Sequence, residues 1–197
     1  MSSTTTVSAV SLACALAASA ALAAPINVAH LYGSATANQT YDTAYAANAI
    51  DNNNATRWVA PDHGTPWHPN WLVVDLGAPF PVEAIDLFWG QPGGYPGFTT
   101  VYSLFHGMDG ANWSLIGSGT FVEGGDLNQI SAQYPFSPDQ SMRYVKYEVN
   151  GGSHWSSIAE IRVWSESQGT VPEPASLALL SAGLLGMVAL RRRAVRF

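Results

Sequence analysis

The apolar residues between positions 25 and 170 recur in short runs with a period of two, and Gly, Pro, Asn or Asp separates one run from the next. This alternation is typical of β-strands that bury one face, whereas helices repeat their apolar positions every three or four residues. No helical pattern longer than about two turns interrupts it, although residues 41–50 could form a short helical turn. Turn signals at this spacing favour an all-β antiparallel sandwich or barrel. The predicted strands are 26–32, 71–76, 82–89, 100–106, 113–122, 128–134, 143–149 and 158–164.

The beginning of the chain has the composition of a secretory leader. Residues 1–24 contain no charged side chain, and 16 of them are hydrophobic. Ala21-Leu22-Ala23 gives the small-x-small pattern that signal peptidase cleaves, which predicts a helical signal peptide over 1–23. The alternative is a buried N-terminal helix, but this segment has no charged face to present to water. The single cysteine, Cys14, leaves with the leader, so we expect an exported protein without a disulfide.

The end of the chain combines three features in a fixed order. Pro172-Glu173-Pro174 closes a linker over 167–174, an uncharged apolar run occupies 175–190, and 191–197 is Arg-rich. Sixteen residues are slightly fewer than the roughly 20 that cross a bilayer, but flanking arginines can reach the interface. The pattern therefore predicts a transmembrane helix over 175–190 and a cytoplasmic tail over 191–197.

This order resembles the PEP-CTERM sorting signal of Gram-negative bacteria, in its Pro-Glu-Pro triplet, its apolar helix and its terminal arginines Arg191, Arg192 and Arg193. The resemblance implies export across the inner membrane and transient anchoring by the C-terminal helix. It also implies processing by exosortase and release to the cell surface or extracellular matrix. An ordinary single-pass anchor is the alternative and would give the same topology without processing.

The region between the two apolar ends is acidic. Residues 25–170 contain four basic and thirteen acidic side chains, which gives a net charge of −9. Nucleic acids and anionic membranes are bound by clustered Lys and Arg, so the folded part is predicted to bind neither. Cations, neutral polar ligands and basic proteins remain as partners.

Five motifs occur in a set order along this region, namely 48–58 (NAIDNNNATRW), 71–77 (WLVVDLG), 108–113 (MDGANW), 143–146 (RYVK) and 158–163 (IAEIRV). Together they resemble the discoidin, or coagulation factor 5/8 type C, domain. The same galactose-binding-like group includes family 32 carbohydrate-binding modules. The resemblance implies one domain over 25–166, folded as an eight-stranded antiparallel jelly-roll β-sandwich. Asn52 stands where the family usually has Gly, and Asn tolerates the left-handed conformation of such a turn.

One polar loop has the donors of a calcium site. Asp51, Asn53 and Thr56 offer hard oxygens on a tight loop, and calcium takes six to eight such ligands. The resemblance adds Glu160 as a remote carboxylate and the backbone carbonyls of Asn48 and Ala159. Glu160 stands on an apolar strand, where burying an unpaired carboxylate is costly. A structural calcium ion is therefore expected, and the alternative is that Asp51 and Thr56 only cap a turn.

Three further loops carry aromatic faces and fixed polar groups, which suit a sugar. The corresponding loops bind ligand in carbohydrate-binding relatives of the resembled family. None of the three contains the Arg that galactose binders of the family commonly use, so galactose specificity is not predicted. Zinc is a weaker alternative for the two histidines of the first loop. The candidate ligand-binding residues are His63, Trp67, His68, Gln91, Tyr95, His154 and Trp155.

No nucleophile elbow or phosphate-binding loop is present, so an enzyme is not expected. The leading hypothesis is an exported, surface-sorted, non-catalytic module that binds a glycan or exopolysaccharide. Its partners during processing would be signal peptidase and exosortase. The alternative is a structural or adhesion protein of the matrix that contacts other proteins and has no sugar pocket.

Overall fold

The computed structural model describes residues 24–89, 99–122, 130–137, 140–153 and 155–166. The predicted signal peptide (1–23), linker (167–174), transmembrane helix (175–190) and Arg-rich tail (191–197) lie outside these residues. Within the described ranges, no helix has the length and apolarity needed to cross a membrane. The strands are β1 (Ile26–Asn27), β2 (Ser34–Ala37), β3 (Trp58–Val59), β4 (Asn70–Phe88), β5 (Thr99–Gly107), β6 (Ser114–Val122), β7 (Ala132–Pro135), β8 (Ser141–Gly152), β9 (Ser157–Ile158) and β10 (Glu160–Ser165).

The strands form an all-β antiparallel jelly-roll sandwich, which confirms the predicted class. In one layer, the first half of β4 pairs with β2 on one side and with β8 on the other. β8 then pairs with β5, and β5 pairs with β6 at the edge. In the other layer, β10 and β7 pair with the second half of β4, and β1 lies outside β10. β3 and β9 form a separate two-stranded ribbon.

β4 corrects the predicted division of this region into two strands. The Gly-Ala-Pro sequence at 77–79 indicates a break, but the strand bends there and does not end. Gly77 has a φ of +80°, and the pairing register with β8 shifts between Asp75 and Phe80. Arg143 holds the start of the bend by donating to both carboxylate oxygens of Asp75, at 2.8 and 3.0 Å. One strand thereby belongs to both layers.

The predicted strand over 26–32 is wrong after its first two residues. α1 (Val28–Tyr32) is a single helical turn, capped by Asn27, whose side chain accepts a hydrogen bond from the His30 amide at 3.4 Å. Gly33 closes the turn by donating its amide to the Ala29 carbonyl at 3.0 Å. Local capping therefore overrides the alternating pattern. The expected helical turn within 41–50 is a 3₁₀ helix over Ala46–Ile50.

The core lies between the two layers and follows the period-two pattern. Along β4, Leu72, Val74 and Leu76 are fully buried, while the residues between them are half-buried on the outer face. Trp58 is also fully buried, lies edge-on to Tyr147 with ring centroids 6.5 Å apart, and donates its indole N–H to the Gln39 carbonyl at 2.9 Å. The buried apolar surface of the alternating strands therefore stabilises the fold.

Two neighbouring positions of β4 test this assignment of faces. Leu72→Ala should lower the free energy of unfolding by about 2–5 kcal/mol, because it leaves a cavity in the core. Val73→Ala, on the outer face, should cost roughly 1 kcal/mol. Urea denaturation of both variants measures the difference, and equal losses would contradict the inward orientation of Leu72.

Candidate functional site

The predicted calcium loop is a tight turn closed by its own side chains. Asp51 accepts hydrogen bonds from the Asn53 amide at 2.9 Å and from the Thr56 hydroxyl at 2.7 Å. Asn53 Oδ1 accepts from the Ala55 amide at 3.1 Å. Asn52 has a φ of +62°, the left-handed conformation that glycine would adopt most easily. These bonds gather the carboxylate, amide and hydroxyl oxygens of the loop within one turn.

Glu160, at the start of β10, reaches this loop from 108 residues away. Its Oε1 accepts a hydrogen bond from the Asn52 amide at 3.2 Å, whereas its Oε2 is buried and has no hydrogen-bond partner within the described residues. The side chain is fully buried, and this burial raises its pKa to about 7, against the smaller lowering effects of the Asn52 amide and the Arg162 charge. Turn capping accounts for Asp51 and Thr56 but leaves one oxygen of Glu160 unsatisfied.

The remaining predicted calcium ligands lie beside this cluster. Ala159 is buried next to Glu160, and its amide donates to the Phe88 carbonyl at 2.9 Å. The Asn48 side-chain amide donates to the carbonyls of Arg57 at 3.1 Å and Thr43 at 3.4 Å, so Asn48 connects the segments before and after the predicted calcium loop.

Arg162, on β10, contacts both the predicted calcium loop and the end of β4. Its guanidinium donates to Asn54 Oδ1 at 2.9 Å and stacks over the Phe88 ring, 4.3 Å from the ring centroid. In the described part of the chain, no three His, Cys, Asp or Glu side chains lie close enough together to hold a metal ion. A calcium ion here would therefore need carbonyl and hydroxyl oxygens besides Asp51 and Glu160.

The first predicted ligand loop, residues 62–68, is held in place by a network of polar hydrogen bonds. The Asn70 side-chain amide donates to Asp62 Oδ1, to the Asp62 carbonyl at 3.1 Å and to Ser156 Oγ at 3.0 Å. The Ser156 amide donates to the Asp62 carbonyl at 2.7 Å. The Gly64 amide bonds Asp62 Oδ1 at 2.9 Å and holds the pKa of that carboxyl below its usual range. This network brings the first predicted loop beside the segment that follows Trp155.

Trp67 lies on the solvent-facing side of this loop. Its side chain is 87% exposed, and His63 and His68 are exposed beside it. The turn that presents it is closed by mutual backbone hydrogen bonds of Thr65 and His68, at 3.0 and 3.1 Å. A large aromatic face is therefore presented to water on a constrained backbone.

Trp155 forms one wall of a cleft of about 130 Å³. Its ring contacts that of Tyr41, with centroids 4.4 Å apart. The sequence prediction missed the other lining residues, because most of them come from segments distant from Trp155 in the chain and none of them lies in the three predicted ligand loops. They include Tyr41, Asp42, Thr43, Arg57 and Ser157. Arg57 supplies a guanidinium that the three predicted loops lack.

Several predicted site residues lie outside the residues that the structure describes. They are Gln91, Tyr95 and His154 among the ligand loops, and Pro172, Glu173, Pro174, Arg191, Arg192 and Arg193 of the sorting motif.

Residues 34–161 match the sequence model of the F5/8 type C domain. The chain belongs to this family. Residues 170–193 match the PEP-CTERM protein-sorting motif, so this family member carries an export and sorting signal at its C-terminal end.

The F5/8 type C region is similar to part of a galactose oxidase from Gibberella zeae. The two are 29% identical over 142 residues, which cover 68% of this chain and 21% of that enzyme. The match therefore spans about a fifth of the length of this curated relative and is a likeness of one domain.

Two solved structures of similar modules share the fold. The family 32 carbohydrate-binding module of AlyQ, in complex with 4,5-unsaturated mannuronic acid, is 27% identical with a TM-score of 0.50 and covers 66% of this chain and 92% of that one. The family 32 module from C. perfringens NanJ, in complex with galactose, is 24% identical with a TM-score of 0.56 and covers 72% of this chain and 98% of that one.

Two glycines test how firmly the Trp67 loop is held. Gly64 has a φ of +59°, and a Cβ there would come within 3.0 Å of the Val149 carbonyl oxygen and the Asn70 amide nitrogen. Gly64→Ala should therefore lower the free energy of unfolding by roughly 2 kcal/mol or more. Gly151→Ala is the matched control, because a Cβ at Gly151 meets nothing within 4 Å. Equal melting temperatures of the two variants would show that the loop moves to accommodate the added Cβ and is not firmly held.

Proposed function

We propose that this F5/8 type C protein is an exported, non-catalytic module that binds a glycan at the cell surface or in the extracellular matrix. The observation that carries the proposal is Trp67, an 87% exposed aromatic ring on a loop that the Asn70 network holds in place. Exposing so large an apolar face costs free energy, which the C–H face of a sugar ring would recover on stacking. The family 32 modules similar to this chain, solved with bound sugars, support the same proposal.

Export would proceed in two steps. The predicted signal peptide at 1–23 directs the chain across the inner membrane of a Gram-negative bacterium, and signal peptidase removes it. The PEP-CTERM motif at 170–193 then holds the protein at the membrane until exosortase processes it. The folded domain lies between the two signals, so it would reach the surface or matrix as the functional part.

Calcium is proposed as a structural ion between the 51–56 loop and Glu160. The support is the unsatisfied Oε2 of Glu160, since a buried ionised carboxylate with one oxygen unsatisfied is unfavourable. Asp51, Asn53 and Thr56 supply oxygens of the kind that calcium prefers. When bound, the ion would neutralise the two carboxylates and join the first loop to the last strand.

The second candidate function is a matrix protein that contacts other proteins through the same loops. Exposed aromatic rings also favour protein contacts, so Trp67 alone does not separate the two. Binding to purified glycans does separate them, because a protein-contact module has no affinity for isolated sugars.

Trp67→Ala tests the glycan function on an array that includes neutral and acidic bacterial exopolysaccharides. The variant should lose most of the binding, about tenfold or more in affinity, because a stacking platform is removed. Leu115→Ala, which removes another exposed apolar side chain from β6, should bind as the original protein does. Absence of binding to any glycan by the original protein would instead favour the matrix function.

The Glu160→Gln variant tests the calcium site, because the pH dependence of its stability can be compared with that of the original protein. In chelator, the raised pKa means that folding favours the protonated form of Glu160, so stability should fall as pH rises from about 4.5 through about 7. The full effect is of the order of 3 kcal/mol. Calcium should restore stability above pH 7, whereas Glu160→Gln should be insensitive to both pH and calcium in this range.

Thermal melts in EGTA, with and without excess calcium, measure these differences. Asp75→Asn is the control, because it removes a carboxylate paired with Arg143 and should lower stability without changing the response to calcium. Identical melting curves of the original protein in EGTA and in calcium at pH 8 would contradict the site.

A further inference from the structure

The two ends of the described domain meet at one end of the sandwich, which we call the bend end. Ile26 of β1 pairs with Ser165 of β10. The Ser165 hydroxyl donates to the Pro81 carbonyl at 2.6 Å, directly after the bend of β4 at 77–80. The linker over 167–174 therefore begins beside this bend.

The candidate glycan loop of Trp67 lies at the opposite end. Asn70, whose side chain holds that loop, begins β4. The extended run from Asn70 to Gly77 is roughly 23 Å long, at about 3.3 Å per residue. A contact at the bend end therefore leaves the Trp67 loop free to meet a ligand.

An apolar patch covers the bend end. Leu31 and Tyr32 of α1 are 54% and 57% exposed. The Tyr32 ring stacks on the half-buried Phe80, with centroids 5.6 Å apart and ring planes that differ by 10°. Ala78 and Pro79 are exposed beside Phe80. We call these five residues the bend patch.

The bend patch carries no charge of its own. No Asp, Glu, Lys or Arg occurs over 25–41 or 76–82, the two segments that supply its residues. Asp75, which precedes the bend, is paired with Arg143 at 2.8 Å. An acidic domain thus presents a neutral, apolar surface at the place where its chain continues toward the sorting motif.

The length of the linker decides what meets this patch. A linker over 167–174 spans at most about 29 Å when fully extended, and roughly 16 Å on average as a flexible chain. The predicted transmembrane helix begins directly after it, at position 175. While this helix anchors the chain, the bilayer surface lies within one linker length of the patch. Such a tether gives an effective concentration in the millimolar range, at which a weak contact is populated.

The side chains of the patch suit the boundary between lipid and water. Tyr is enriched at the level of the lipid headgroups, where its ring lies in an apolar environment and its hydroxyl reaches water. Leu and Phe are buried at the boundary with the acyl chains. Burying the exposed half of one such side chain strengthens a contact about tenfold, which is a small effect without the tether.

The charges around the patch favour a neutral lipid surface over an anionic one. Glu83 follows the patch on β4. Asp109 lies at the same end of the sheet, because Gly107 pairs with Tyr144, and Tyr144 with Asp75. Residues 25–170 carry a net charge of −9, so anionic headgroups would repel the domain.

We propose that the bend patch docks on the neutral lipid of the inner membrane, on its periplasmic side, while the C-terminal helix anchors the chain. This inference rests on the anchoring step of the proposed function and does not depend on the glycan or calcium sites. The docked domain holds its Trp67 loop away from the bilayer. It also keeps the Pro-Glu-Pro segment at the lipid surface, where exosortase would process it.

The experiment places residues 24–197 in nanodiscs of phosphatidylcholine and phosphatidylethanolamine, at one protein per disc. Without Cys14 this chain has no cysteine, so one can be introduced and labelled with a fluorophore. Ser34→Cys labels an exposed position beside the patch. Val122→Cys labels the loop end, because its partner Thr99 bonds Ser153 near Trp155. Spin-labelled lipid should quench the label at 34 and leave the label at 122 nearly unchanged.

Leu31→Glu tests the patch itself, and Val122→Glu is its matched control. Both variants replace an exposed apolar side chain by the same carboxylate, at 54% and 63% exposure and at opposite ends of the sandwich. With the label at 34, Leu31→Glu should weaken the contact about tenfold or more and lose most of the quenching, whereas Val122→Glu should keep it. The melting temperatures of both variants should stay close to that of the original protein, because neither position lies in the core.

The possible failures are distinguishable. Equal quenching at 34 and 122, or equal quenching in the two Glu variants, would overturn the docking and leave the anchoring intact. A chain that does not co-purify with the discs would overturn the anchoring and this inference with it. A fluorescence change at 34 without lipid quenching would show that the linker or a second copy covers the patch, and would overturn lipid as the occupant. Phosphatidylglycerol in the disc should weaken the quenching, and stronger quenching would overturn the preference for neutral lipid.

Discussion

The continuity of β4 through the bend at Gly77 is the constraint on which the rest of the structure depends. The first half of this strand pairs with β2 and β8, and the second half with β10 and β7, so each layer is completed by the same backbone. The 75–80 region therefore fixes the position of one sheet relative to the other. The Arg143–Asp75 pair and the left-handed Gly77 stabilise this region, which explains why a charged pair and a glycine stand in the middle of an otherwise apolar strand.

Both candidate sites depend on the ends of this strand. Asn70 begins β4 and distributes its amide hydrogens between Asp62 and Ser156, which joins the loop of Trp67 to the segment of Trp155. Phe88 ends β4, pairs with Glu160 and lies under the guanidinium of Arg162. These hydrogen bonds connect the surface loops to the packed core, so the loops do not need a disulfide to stay in place.

The sequence predicts features that depend on a local pattern or on a family motif, but it does not predict contacts between segments that are distant in the chain. Alternation along 71–76 predicts a buried face and a strand, and the DNNNAT motif predicts a turn with Asn52 left-handed. The Asn27 cap and the bend at Gly77 are exceptions, because a single hydrogen bond or a single φ decides them. The cleft could not be predicted, since Val59 brings Tyr41 and Asp42 beside Trp155 only after β3 and β9 pair.

The acidic side chains divide into two groups that have different consequences. Asp75 is paired with Arg143, and Asp86 accepts hydrogen bonds from Gln133 and Trp164, so their charges are compensated by the fold itself. Glu160 differs from them, because its Oε2 is buried and has no hydrogen-bond partner among the described residues. A buried charged group with one unsatisfied oxygen raises the free energy of the folded protein. A cation bound between Glu160 and the 51–56 loop is the interaction that would offset this cost, because it would neutralise the carboxylate without removing it from the core.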